Sequence, residues 1–195
     1  MKWIAILVVG LAAGNLLGQA GQQVVDTTHA APLEAVEKRA LQFLLKVAEE
    51  EIIPAVDAMP ADKLGFAPTD GEFKRARTFG QMVKHLSATN HILAAAALRE
   101  EPPADAGDEV GHEAVRTKAE ILKYLNGSFA HLSKAIEAIG QTNALVSSSP
   151  ISPLKRGDVT RSALVVESWM HACDHYGQIV EYLRINGVAP PASRP

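Results

Sequence analysis

The segment HACDHYGQ, residues 171–178, sets two histidines four positions apart in a largely apolar stretch. Residues four apart in a helix point the same way to within about 40°, so the imidazoles of His171 and His175 can meet at one ion. The same face carries Leu164, Gln178, Tyr182 and Ile185 at further helical steps, a partly apolar stripe that should face other helices. Two bases side by side in such a place cannot both take a proton without repulsion, whereas a divalent metal satisfies both while they stay neutral. Surface histidines, or core histidines hydrogen-bonded elsewhere, fit the same spacing equally well. A third candidate ligand is His85 in FGQMVKHL, which shares a helix face with Met82, Thr89, Ile92 and Ala96. A single core histidine of this kind more often bonds a backbone carbonyl than an ion. His91 points about 120° away from His85 around the helix and cannot share its centre. His91, His112 and His131 are expected to face solvent or bond locally, and His29 lies in a spacer.

Three neutral imidazoles would leave an ion its full charge and at least one open position, as catalytic sites require and closed structural sites do not. An ion so held can bring the pKa of water to about 7, bind a thiolate or polarise a carbonyl. Glu167, one turn before His171, and Asp174, beside His175, are the candidate proton carriers. Either can instead be a solvated carboxylate or a group that steadies an imidazole. Gln178 could hydrogen-bond a ligand ring or a bound substrate. Tyr176 and Tyr182 read as core or interhelical contacts, and Trp169 and Met170 as packing. Cys173 is turned away from both histidines and reads as a small buried residue, not a nucleophile.

Four helical patterns must position these groups, and no stretch alternates well enough to predict a strand. The first begins near Pro32 and carries Leu33, Val36, Ala40, Leu44, Val47 and Ala48 before Pro54 interrupts or ends it. The second opens on a capping box, Thr78 with Gln81, and is stopped by Pro102 and Pro103. The third repeats Leu122, Leu125, Phe129, Leu132, Ile136 and Ile139 in steps of three and four, with Gly140 as its C-cap. A long loop, QTNALVSSSPISPLKRGDV, leads to the fourth, which starts at the N-cap Thr160 and ends at Asn186-Gly187. Connections of these lengths predict an all-α four-helix bundle with a long loop between the third and fourth helices.

The 195 residues are 47% hydrophobic and 21% charged, the balance of one folded domain. With 19 Lys+Arg against 22 Asp+Glu and no dense basic run, nucleic acid is not an expected partner. The amino terminus reads as a cleavable signal peptide over residues 1–20: Lys2, then the apolar WIAILVVGLAAGNLLG, then small residues Gly18 and Ala20. The chain is therefore expected to be exported, periplasmic or secreted, with no stable membrane span after cleavage. The alternative is an anchor formed by residues 3–18, near the lower length limit for a span. Residues 21–31 read as a flexible spacer and 32–193 as the bundle domain.

A histidine early in the second helix, H-x-x-x-H in the fourth and the closing text HYGQIVEYLRINGVAPPAS together resemble the DinB-like family over roughly residues 33 to 193. The resemblance implies a four-helix bundle that holds one divalent metal with three histidines. Carried over by position, these are His85, His171 and His175. It further implies a metal-dependent hydrolase or transferase acting on a small molecule. Zinc or nickel suits the ligand set best, and iron or manganese is compatible. Relatives that use a low-molecular-weight thiol are largely cytosolic, so an export signal sets thiol transfer in question here. The competing function is a non-catalytic metal-binding or interaction module on the same bundle. Flat apolar helix faces also make a homodimer plausible.

Overall fold

The computed structural model describes residues 32–68, 76–141, 145–149, 151 and 157–194. The expected signal peptide and spacer lie outside the described residues. Four helices carry the fold: α1 (Leu33–Ala58), α2 (Phe79–Leu98), α3 (Lys118–Glu137) and α4 (Arg161–Ile185). Their starts follow local chemistry. At α2, Gln81 N–H donates to Thr78 Oγ1 and Thr78 N–H to Gln81 Oε1, the expected capping box. The same device, unforeseen, opens α3 with Thr117 and Glu120, and Thr160 Oγ1 caps α4 by accepting from Ala163 N–H. Helix α2 ends on Arg99, which adopts a left-handed conformation (φ 62°), three residues before Pro102.

Helices α1 and α2 each pack against both α3 and α4, so α1 lies diagonally across the bundle from α2. Helix α2 is buried on nearly every side, which its run of small residues, Ala94 to Ala97, allows by letting neighbours approach. The α3 stripe from Leu125 to Ile139 enters the core as expected. The α1 stripe is buried there only at Ala48. Its buried residues are Leu41, Leu45, Ala48, Ile52, Ala55 and Val56, while Leu33, Val36 and Val47 are exposed. Helix α1 is apolar on two faces, and spacing alone could not say which one meets the bundle. Nor does α1 end at Pro54. The proline removes one backbone donor, but buried Ile52, Ala55, Val56 and Met59 hold the last turn in place.

A second correction concerns strands. Within the long loop, β1 (Leu145–Ser147) pairs antiparallel with β2 (Asp158–Thr160). Three residues are too few for alternation to show in sequence. The ribbon is held from outside instead, by full burial of Val146 and by Arg99 Nη2 donating to Leu145 O at 2.6 Å. The all-α class stands, with this ribbon as its only sheet among the described residues. Among those residues no helix is long and apolar enough to cross a membrane.

Between α2 and α3 the chain folds back over the start of α2 through a turn in which Gly111 N–H donates to Asp108 O and Val110 N–H to Asp108 Oδ1. Gly111 is required there twice over. Its φ is +89°, and a Cβ would lie 2.7 Å from Lys84 Cβ and 3.0 Å from the Lys84 carbonyl. This close approach aims the Glu109 carbonyl at the neighbour of Lys84, which is His85.

Candidate metal centre

His85 on α2 and His171 and His175 on α4 converge. Their Nε2 atoms stand 3.1 Å apart between His85 and His171 and 3.0 Å apart between His171 and His175. The rings are nearly perpendicular, at 74°, 89° and 85°, so the nitrogens point inward and the rings do not stack. His85 and His175 are buried, and His171 is partly exposed.

Two of the three tautomers are set from behind. His85 Nδ1–H donates to the Glu109 carbonyl, and a carbonyl can only accept, so His85 Nε2 keeps its lone pair. His175 Nδ1–H donates to Gln178 Oε1 at 3.3 Å. The Gln178 amide is itself oriented, because its Nε2 donates to Asp174 Oδ2 at 3.1 Å. Two lone pairs therefore meet at a centre where His171 can supply at most one proton. Leaving such an acceptor unpaired in a buried place costs about 1–3 kcal/mol.

A positive ion resolves the conflict, and the spacing fits one. Ligand nitrogens about 2.0–2.1 Å from an ion at tetrahedral to octahedral angles lie roughly 2.9–3.4 Å from one another. The backing bonds from Glu109 and Gln178 are of the kind that fix metal-binding histidines. The electrostatics agree. Burial holds His171 down to about 3, helped by His175 and His85, and burial likewise lowers His85 and His175, with the positive charge of Arg77 acting in the same direction on all three. Neutral imidazoles are the form that ligates. Among the described residues, these three are the only group of histidine, cysteine or carboxylate side chains arranged to hold a metal ion.

The centre opens on a cavity of about 340 Å³ lined by His85, Thr89, Leu93, Ile151, Met170 and His171, with Glu109, Glu167 and Asp174. A larger cavity, about 680 Å³, lies further along α2 beside Arg99 and Ser147 to Ser149 and touches none of the three histidines. Glu167 and Asp174 both line the smaller cavity, and Asp174 Oδ2 accepts from Gln178 Nε2. Gln178 is exposed and reaches His175 from the solvent side. Cys173 is exposed, not buried: about 200° around α4 from His171, it lies where no helix covers it. Met170 is 61% exposed at the cavity wall and contributes little to the core. Tyr176 and Tyr182 are the expected contacts, donating to Glu51 Oε2 of α1 at 2.5 Å and to Arg77 O at 3.0 Å.

His91 and His131, expected to face solvent or bond locally, are instead buried at 8% and 6% exposure. They form a chain between α2 and α3, with His91 Nδ1 3.1 Å from His131 Nδ1 and His131 Nε2 2.8 Å from Glu100 Oε1. Forty residues separate the pair, and no local spacing could have joined them. His112 is bonded locally, its Nδ1 accepting from Ala114 N–H. Sequence reasoning also missed Glu109, whose contact with His85 is made by its backbone carbonyl.

A search of the curated proteins returns no match. The family model of the DinB superfamily matches residues 44–179, a span that covers most of the bundle and contains all three histidines. With that match over well more than half of its length, the chain belongs to the DinB superfamily.

Proposed function

We propose that the protein binds one divalent metal ion through His85, His171 and His175 and acts as a metal-dependent hydrolase or transferase on a small molecule. The observation that carries the reading is the meeting of three Nε2 atoms, two with lone pairs fixed by Glu109 and Gln178, at the wall of a cavity. A structural ion would be sealed by a fourth protein ligand, and among the described residues none is arranged to supply one. When bound, the ion supplies positive charge that acidifies water or a thiol, or polarises a carbonyl. Zinc and nickel suit three imidazoles best.

The chain's own carboxylates divide the remaining work. Asp174 acts through Gln178 on the orientation of His175 and is a positioning residue. Glu167 stands one turn before His171 on the cavity wall and is the better placed of the two to hold or pass a proton. The signal-like amino terminus supports export, and sequencing the amino terminus of the protein recovered from its producing cells tests it: an intact Met1 in the mature pool would refute cleavage.

The metal reading is tested by elemental mass spectrometry on protein purified without added metal or affinity tag. One ion per chain is expected, lost in His85→Ala, in His171→Ala and in His175→Ala. A wild type that holds no ion, even after incubation with zinc, nickel or manganese, sinks the reading.

A further inference from the structure

Helix α2 carries two buried hydroxyls two residues apart with opposite fates. Ser87 Oγ donates to Val83 O at 2.8 Å, the usual way for a hydroxyl within a helix to be satisfied. Thr89 is only 6% exposed and its Oγ1 has no hydrogen-bond partner among the described residues. It lines the cavity together with His85 and His171 and the apolar side chains of Leu93, Ile151 and Met170. Thr89 sits one turn after His85, and side chains on a helix lean toward its amino terminus, so this hydroxyl belongs to the part of the wall that adjoins the metal ligands. A buried hydroxyl without a partner is unfavourable in the empty protein and becomes favourable when a ligand supplies the bond.

We propose that Thr89 is a substrate-contacting residue whose hydroxyl bonds a polar atom adjacent to the one that meets the metal. The role rests on the metal-binding reading of the histidines. The rest of the cavity sets the class of molecule. Its body faces Leu93, Ile151 and Met170 and is mainly apolar. Glu109, Glu167 and Asp174 also line it. The class is therefore a compact, mainly apolar molecule that carries a hydrogen-bonding group beside its metal-binding atom.

Cobalt(II)-loaded full-length protein provides the test, because its visible bands report on the ligands at the metal. Two thiols serve as probes under anaerobic conditions, 2-mercaptoethanol and 1-propanethiol, which differ only by hydroxyl against methyl. Wild type should bind 2-mercaptoethanol roughly five- to tenfold more tightly than propanethiol, the equivalent of one hydrogen bond. The preference should vanish in Thr89→Val and persist in Thr89→Ser, with cobalt affinity the same in all three proteins. The thermal midpoint of metal-free Thr89→Val should equal or exceed that of wild type, since the change removes an unpaired hydroxyl. Equal discrimination by wild type and Thr89→Val, or a lower midpoint for the variant, overturns the assignment while leaving the metal site standing. Absence of cobalt bands in wild type overturns the metal reading and this role with it.

Discussion

Helix α2 holds two histidines, His85 and His91, that resemble each other in most respects. Both are buried, both have basicity lowered first by burial, and each meets histidine from another helix about 3 Å away. Their differences lie in what the neighbours leave over. On the α3 side, Glu100 accepts from His131 Nε2–H, His131 Nδ1 then accepts from His91 Nδ1–H, and the chain of bonds closes. On the α4 side, Glu109 O and Gln178 Oε1 each accept a ring N–H from behind, and lone pairs collide at the front. Burial and depressed basicity are thus common to a packed pair and a metal centre, and only the accounting of donors and acceptors separates them.

The largest test of that contrast is Gly111→Ala. A methyl group there meets the backbone of Lys84 and forces a left-handed conformation on alanine, so the turn must shift and carry the Glu109 carbonyl off His85. Loss of such a backing bond should weaken metal binding by about 10–100-fold, as read by titration against a competing chelator. Unchanged affinity would mean that Glu109 does not set the His85 tautomer.

The closed pair is tested by pH. The pKa of His91 is held at about 4 by burial and by His131, below the value of about 6.5 in an unfolded chain. The unfolded state therefore binds more protons between those values, and the contribution of His91 to stability is fully present above pH ~6.5 and lost as pH falls toward 4. The loss amounts to at most about 3 kcal/mol. Urea unfolding of metal-free protein across this range should show a shallower decline for His91→Gln than for wild type. That variant should bind metal as wild type does, and reduced binding would show that the two clusters are coupled. The smallest effect is expected from Gln178→Leu. It removes an exposed partner at 3.3 Å and should lower metal affinity only severalfold, the low end for a bond to a ligand ring. Equal loss in Gln178→Leu and Gly111→Ala would contradict the unequal backing proposed for the two histidines.

What could be read from sequence follows the range of the interactions involved. His171 and His175 were legible because both sit on one helix face, and the caps at Thr78 and Thr160 because a cap is local. His85 needed the family resemblance, since spacing on α2 alone allowed an ordinary core histidine. The His91–His131 pair, the Glu109 carbonyl and the β1–β2 ribbon were not legible, because each depends on a partner brought by tertiary folding. On α1 the periodicity was sound but its phase was not: Phe43 at 67% exposure and Leu41 at 6% belong to two apolar stripes on one helix. Cys173 failed for the related reason that a face turned from the site was assumed to meet another helix.

Between the two clusters lies Asn90, wholly buried, whose Oδ1 accepts from Ser168 Oγ of α4 at 2.7 Å and whose Nδ2 donates to Ser128 Oγ of α3 at 3.2 Å. Sliding α2 by one residue, about 1.5 Å and 100° of turn, would break both bonds at once. The bundle is thereby keyed in the register that brings His85 to His171 before any ion arrives. Metal uptake then need not drive folding, unlike in small zinc domains that are unfolded when empty. A bundle keyed in this way would keep its fold whether or not the three histidines held an ion, so loss of a bound ion would be reversible without refolding.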